Sequence, residues 1–209
     1  MTFPQDYINK IICGNCLEIM KGIPDKSIDL VLTSPPFKDE DIPGDYWNFY
    51  NNFFCEAQRI YSKVLIVIHS ATKLNYLISN YPPHRLLIWG KAFSKYSYRF
   101  NPILVYQKSK DYNINKRIWS DCFAVPSLHG QMKEKKHKYQ DPINLYLALF
   151  KMFKECNLIL DPFLGSGTTA IACKLLNRNF IGIEINLDYC KIAQDRVDRT
   201  IYQPDLLEV

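Results

Sequence analysis

The stretch Asn157-Leu158-Ile159-Leu160-Asp161-Pro162-Phe163-Leu164-Gly165-Ser166-Gly167-Thr168-Thr169-Ala170-Ile171-Ala172-Cys173-Lys174-Leu175-Leu176 decides the fold class. It opens as a short apolar strand, Asn157 to Asp161, that ends in a carboxylate; a glycine turn follows, and then an apolar helix from Ser166 to Leu176. Strand, glycine turn and helix start, in that order, are what a nucleotide site needs. Gly165 and Gly167 can take positive φ and let a ligand approach the backbone, and the helix N-terminus offers amide donors. A second strand, Asn179 to Glu184, ends nineteen residues beyond Gly165 in a carboxylate. At that separation an acidic side chain can accept hydrogen bonds from ribose hydroxyls. The two features together predict an adenosine site drawn from Asp161, Phe163, Gly165, Ser166, Gly167, Thr168, Thr169 and Glu184. A tight turn beside a satisfied carboxylate is the blander alternative, and the strand, helix and spaced glutamate outweigh it. No lysine follows the glycines as in an ordinary P-loop, and the missing third glycine weakens a dinucleotide reading.

Outward from this unit, short β-type runs alternate with helical patterns. Lys10 to Cys13, Ile28 to Thr33, Val64 to His69, Arg85 to Trp89 and Pro102 to Lys108 read as further strands. Tyr46 to Tyr61, Pro142 to Lys154 and Leu187 to Arg199 read as helices. The alternation predicts an α/β domain. With 209 residues, 47% of them hydrophobic and 22% charged, the chain can bury one large core, so a single domain over 1–209 is expected. Residues 109–138 mix polar, aromatic and basic side chains without a sustained period and read as a long excursion from the sheet.

The net charge of +5 is compatible with a polyanionic partner but does not require one. The opening MTFPQDYINK lacks the pattern of a secretory signal, and no apolar run approaches the roughly 20 residues of a membrane span, so a soluble cytoplasmic protein is expected. Seven scattered cysteines suit reduced thiols better than a disulfide framework. Cys13 and Cys16 form a C-x-x-C spacing, but no second pair or nearby histidine completes four ligands, and no metal site is expected.

Strand Ile28 to Thr33 runs into Ser34-Pro35-Pro36-Phe37, a loop stiffened by two prolines and flanked by a hydroxyl and an aromatic ring. The exocyclic amino nitrogen of an aromatic base is a poor nucleophile, because its lone pair is delocalised into the ring. Hydrogen-bond acceptors around the nitrogen help it become tetrahedral. The Ser34 hydroxyl and the Pro35 carbonyl are suitable acceptors, and Phe37 could stack on a base swung out of the duplex. In isolation, a double proline that merely ends a strand is the better reading of Ser34 to Phe37. In company with the adenosine site that reading loses.

The segments Thr33-Ser34-Pro35-Pro36-Phe37 and Asp161-Pro162-Phe163-Leu164-Gly165-Ser166-Gly167-Thr168-Thr169 resemble motifs IV and I of the DNA amino-methyltransferases. Their order, catalytic loop first and cofactor loop last, resembles the beta arrangement of that family. The resemblance implies a Rossmann-like fold dependent on S-adenosylmethionine (SAM), with a mostly parallel sheet flanked by helices. It implies DNA methylation of the restriction–modification kind after base flipping, with Ser34, Pro35, Pro36 and Phe37 as the catalytic loop. Ile12 to Glu18 resembles the segment whose polar side chain approaches the adenine ring, which would place Asn15 and Cys16 at the cofactor. His137-Lys138-Tyr139-Gln140-Asp141-Pro142 resembles the motif X approach to its methionine end, with Lys138 and Asp141 where relatives more often have proline and lysine. Serine at the head of Ser34-Pro35-Pro36-Phe37 resembles the cytosine-N4 enzymes, whereas adenine-N6 enzymes usually carry Asp or Asn there; N6 is the alternative, and a catalytically idle nucleic-acid-binding module of the same fold is a more distant one. Methylation at cytosine carbon 5 needs a cysteine nucleophile, normally in a Pro-Cys pair, and no cysteine here follows a proline.

Lys108, Lys110, Lys116 and Arg117, then Lys133, Lys135, Lys136 and Lys138, form a basic cluster interleaved with Tyr112, Trp119 and Tyr139. A solvated loop would look similar, but the cluster lies between the two halves, where relatives keep their target-recognition segment. DNA phosphate contacts are therefore expected of it. The segment is short for complete recognition, so the protein would read few base pairs or work with a second subunit such as another copy of itself.

Overall fold

The computed structural model describes residues 1–37, 44–90, 100–108, 121–124 and 140–203. Strands are β1 (Lys10–Cys13), β2 (Ile28–Thr33), β3 (Tyr61–Ile68), β4 (Arg85–Gly90), β5 (Phe100–Gln107), β6 (Cys122–Ala124), β7 (Leu158–Asp161) and β8 (Asn179–Glu184). Helices are α1 (Cys16–Met20), α2 (Tyr46–Ile60), α3 (Leu74–Asn80), α4 (Ile143–Met152), α5 (Thr168–Leu175) and α6 (Leu187–Arg199), with a 3-10 turn at Ala71–Lys73. The strands form one 8-stranded sheet in the order β1-β8-β7-β2-β3-β5-β4-β6. Every pairing is parallel except those of β5 with β3 and β4.

The central strands are continuous apolar runs because both faces of the sheet are covered. Leu30, Leu32, Val64, Ile66 and Ile68 pack against α4, α5 and α6 on one side. Val31, Leu65 and Val67 pack against α1, α2 and α3 on the other. Local chemistry starts the longer helices. The Asp45 carboxylate accepts the Trp47 N–H at 2.9 Å to cap α2, and Asn186 Oδ1 accepts from Asp188 and Tyr189 to cap α6.

From β2 the sheet continues outward to β3, whereas from its neighbour β7 it continues the other way to β8. The connections reverse between these two strands, and in open α/β sheets the ligand crevice lies beyond the carboxyl ends of strands at such a point. Leu30 pairs with Ile159 and Val31 with Leu160, so Thr33 and Asp161 finish side by side.

Several expectations change. Residues 109–138 are not wholly an excursion from the sheet, because β6 lies within them and pairs with β4. Only Phe123 of that strand is buried, so its run carries no hydrophobic period to announce it. The helix after the glycine turn begins at Thr168 rather than Ser166, since Gly167 takes a left-handed φ of 90° as its N-cap. β3 starts at Tyr61, directly after α2, and ends before His69, whose N–H turns to the Pro102 carbonyl. Among the described residues no helix is long and apolar enough to cross a membrane.

Candidate active site

A cavity of about 720 Å³ opens beyond the carboxyl ends of β2 and β7. Ser34 to Phe37 line one side, the glycine turn and Glu184 the other, and Asn15 and Cys16 close one end. The expected catalytic and cofactor residues therefore meet in one place, apart from Gly167, which sits behind the turn.

Asp161 joins the two halves. Its Oδ1 accepts from the Thr33 hydroxyl at 2.7 Å and the Phe163 N–H at 3.1 Å, and its Oδ2 from the Thr169 hydroxyl. The side chain is 3% exposed, and its oxygens already serve one chain segment on each side. It thus locks the end of β2 to the glycine turn and the start of α5. Burial lifts its carboxyl to about 6, with the three hydrogen bonds holding it down and nearby Glu184 adding to the rise. A carboxyl whose folded value lies above its unfolded value binds its proton more tightly in the folded state. Lowering pH from 7 toward 4 should then stabilise the wild type relative to Asp161→Asn, by up to roughly 1.4 kcal/mol per pH unit. Urea unfolding of both proteins at pH 7, 5.5 and 4.5 checks the sign; a wild type that loses ground on acidification would show that the hydrogen bonds outweigh burial.

The glycine turn is built on Glu184. Its Oε2 accepts the Gly165 N–H at 2.8 Å and its Oε1 the Asn186 N–H at 2.8 Å. Glu184 also lines the cavity, and each carboxylate oxygen can accept a second hydrogen bond. Gly167 packs so tightly on α6 that an added Cβ would lie 2.9 Å from the Ala193 Cβ, besides being strained at its φ of 90°. Ser166 lines the cavity while its hydroxyl and carbonyl both accept from Arg196, which ties the turn to α6 and leaves the hydroxyl proton to donate. Thr168 Oγ1 leans on the Asp141 carbonyl at 3.4 Å. Phe163 packs on Phe49 and Phe53, with its ring centroid 5.0 Å from the latter.

Asn15 Oδ1 is committed to capping α1 through the Leu17 N–H, which leaves its amide nitrogen for the cavity. The Cys16 thiol is buried and pushed up to about 12 by desolvation, so it lines the cavity as a neutral surface.

The segment expected to be the catalytic loop is anchored at both ends, at its start by the Thr33–Asp161 bond and at its end by the Tyr46 hydroxyl, which donates to the Pro36 carbonyl at 2.8 Å. Between the anchors the Ser34 side chain faces the cavity, with no hydrogen-bond partner among the described residues. Phe37 stands 5.3 Å from the His69 ring.

Several lining residues escaped the sequence reading: Phe49, Tyr146, Ile185, Asn186 and Tyr189. Ile185 and Asn186 directly follow Glu184 and could have been included on adjacency alone. Gln140, in the segment that resembles the approach to the methionine end, also lines the cavity; it is buried, and its Oε1 has no partner among the described residues. Of the basic residues, Lys108 points elsewhere: its Nζ bonds the Gln58 carbonyl at 2.8 Å and sits 4.3 Å over the Tyr61 ring, at the end of β3 remote from the cavity. Lys110, Lys116, Arg117, Lys133, Lys135, Lys136, Lys138 and His137 lie outside the described residues.

The sequence profile of a DNA methylase family matches residues 28–195, from the start of β2 into α6. The chain belongs to that family. The type II methyltransferase M.HinfI of Haemophilus influenzae is 26% identical to this methylase over 264 aligned residues, covering 98% of the chain and 72% of M.HinfI. Among solved structures, PvuII DNA methyltransferase (cytosine-N4-specific) superposes with a TM-score of 0.75 at 18% identity, over 95% of this chain and 90% of that one. The M1.HpyAVI–SAM complex gives 0.68 at 23% identity, over 90% and 98%. The Rossmann-like methyltransferase fold expected from the motifs is thereby borne out.

Proposed function

We propose that this DNA methylase transfers the methyl group of SAM to the N4 amino group of a cytosine swung out of DNA, acting in the cytoplasm. The supporting observation is the Ser34 hydroxyl, at the cavity between the anchored Thr33 and Pro36 and without a hydrogen-bond partner among the described residues.

The cavity's donors and acceptors fit SAM. Glu184 retains acceptor positions for two ribose hydroxyls, and Gln140 Oε1 is a buried acceptor still lacking a donor such as an amino group. Bound there, the cofactor supplies a methyl group carried on sulfonium. The Ser34 hydroxyl and the Pro35 carbonyl accept from the target amino group and draw its lone pair out of ring conjugation. Phe37 stacks on the flipped base. Ser34 is part-exposed, so the proton released by the nitrogen passes through its hydroxyl to water. The basic residues of 109–138 supply phosphate contacts that hold the duplex over the cavity.

Incubation with unmethylated DNA and labelled SAM, followed by digestion to nucleosides, tests the reading. Label is expected in N4-methylcytosine; label in N6-methyladenine would overturn the choice of base, and unlabelled DNA would overturn the activity.

A further inference from the structure

We propose that His69 is a positioning residue for methyl transfer, acting through Tyr46 on the carbonyl of Pro36. The inference rests on the reading of Ser34 to Phe37 as the catalytic loop.

His69 is fully buried just past the carboxyl end of β3 and is not part of the cavity wall. The Ser70 N–H points at its Nδ1 at 2.7 Å. A backbone amide can only donate, so Nδ1 carries no proton and the ring proton sits on Nε2. Nε2 lies 2.7 Å from the Tyr46 hydroxyl oxygen, which must therefore accept from it. The single hydroxyl proton of Tyr46 is then directed at the Pro36 carbonyl, 2.8 Å away. Each link from Ser70 through His69 and Tyr46 to Pro36 thus has a fixed direction.

The chain ends on the one freely rotating bond that matters there. Proline rings lock φ at Pro35 and Pro36, leaving ψ as the torsion that aims each carbonyl. Tyr46 fixes ψ of Pro36 and so the departure of the chain toward Phe37, whose ring also rests 5.3 Å from His69. With Thr33 held by Asp161 at the other end, Ser34 and the Pro35 carbonyl are presented as a pre-set pair. A catalytic acceptor misplaced by even a fraction of an ångström loses much of its effect, so the anchor acts on rate rather than on cofactor binding.

Tyr46→Phe keeps the ring and removes only the hydroxyl. Single-turnover transfer at saturating DNA and SAM should fall roughly 5- to 30-fold, with the SAM Kd from calorimetry unchanged. His69→Leu should fall similarly, and His69→Gln, whose amide can still donate to Tyr46, should recover part of the loss. Combining Tyr46→Phe with His69→Leu should cost no more than either alone, because both break one chain. If His69→Leu fails to fold, Tyr46→Phe and His69→Gln still decide. A wild-type rate in Tyr46→Phe, or losses that multiply in the double variant, would overturn the proposal. Ser34→Ala in the same assay separates the two levels: if it slows transfer while Tyr46→Phe does not, only the positioning role is wrong, and if neither slows, the catalytic loop itself is misassigned.

Discussion

Replacing Ser34 by alanine is expected to slow single-turnover methyl transfer by roughly 10- to 1000-fold, the range for loss of one preorganised acceptor worth about 1.4–4 kcal/mol. Thr33 and Pro36 are held by Asp161 and Tyr46, so the loop should keep its path when the Ser34 hydroxyl is removed. SAM affinity should therefore remain close to the wild-type value. Some activity should survive through the Pro35 carbonyl, since Ser34 forms no covalent intermediate. Rapid-quench kinetics with labelled SAM measures the step directly. A wild-type rate would remove the acceptor role and with it the main support for cytosine N4.

The second large effect is expected at the opposite wall. Glu184→Ala should weaken SAM binding by about 2–3 kcal/mol, a loss of roughly 30- to 150-fold in Kd. Two causes add. The ribose hydroxyls lose a charged acceptor, and the Gly165 and Asn186 N–H groups lose the carboxylate that holds the glycine turn against the start of α6. Glu184→Gln should fall between, because its one carbonyl oxygen can serve only one of those amides as before. Calorimetry on the three proteins gives the order; an unchanged Kd in Glu184→Ala would remove Glu184 from the ribose site.

The parts legible from sequence are those whose cause is local. The limits of β1, β2, β8 and α6 follow from apolar runs fenced by a cap, a glycine or a proline, and structure and sequence agree on them. The same holds for the glycine turn, where the positive φ of Gly165 and Gly167 is written in the residue type. α3 was not legible because only Leu77 of its seven residues is buried, too little to set a period. The Thr33–Asp161 link and the Ser70–His69–Tyr46–Pro36 chain join elements distant in sequence, and neither histidine nor tyrosine announces a buried partner. Spacing singled out Glu184, and the end of a strand singled out Asp161, but neither signal says what these carboxylates touch. Asp161 turns out to serve protein donors on every side, and Glu184 divides itself between the turn and the cavity.

The adjacency of β2 and β7 also bears on how the protein comes to exist. Their closest side-chain link, Thr33 to Asp161, spans 128 residues of chain. During synthesis β2 emerges early and waits for its neighbour until β7 and the residues behind it have left the ribosome. Until then one long edge of a very apolar strand stands open, the kind of surface that pairs with other nascent chains. Pairings at such separation also close slowly, since the loop entropy is lost before the contact is gained. The pairing that brings Thr33 to Asp161 thus prolongs the time for which the nascent chain presents that open edge.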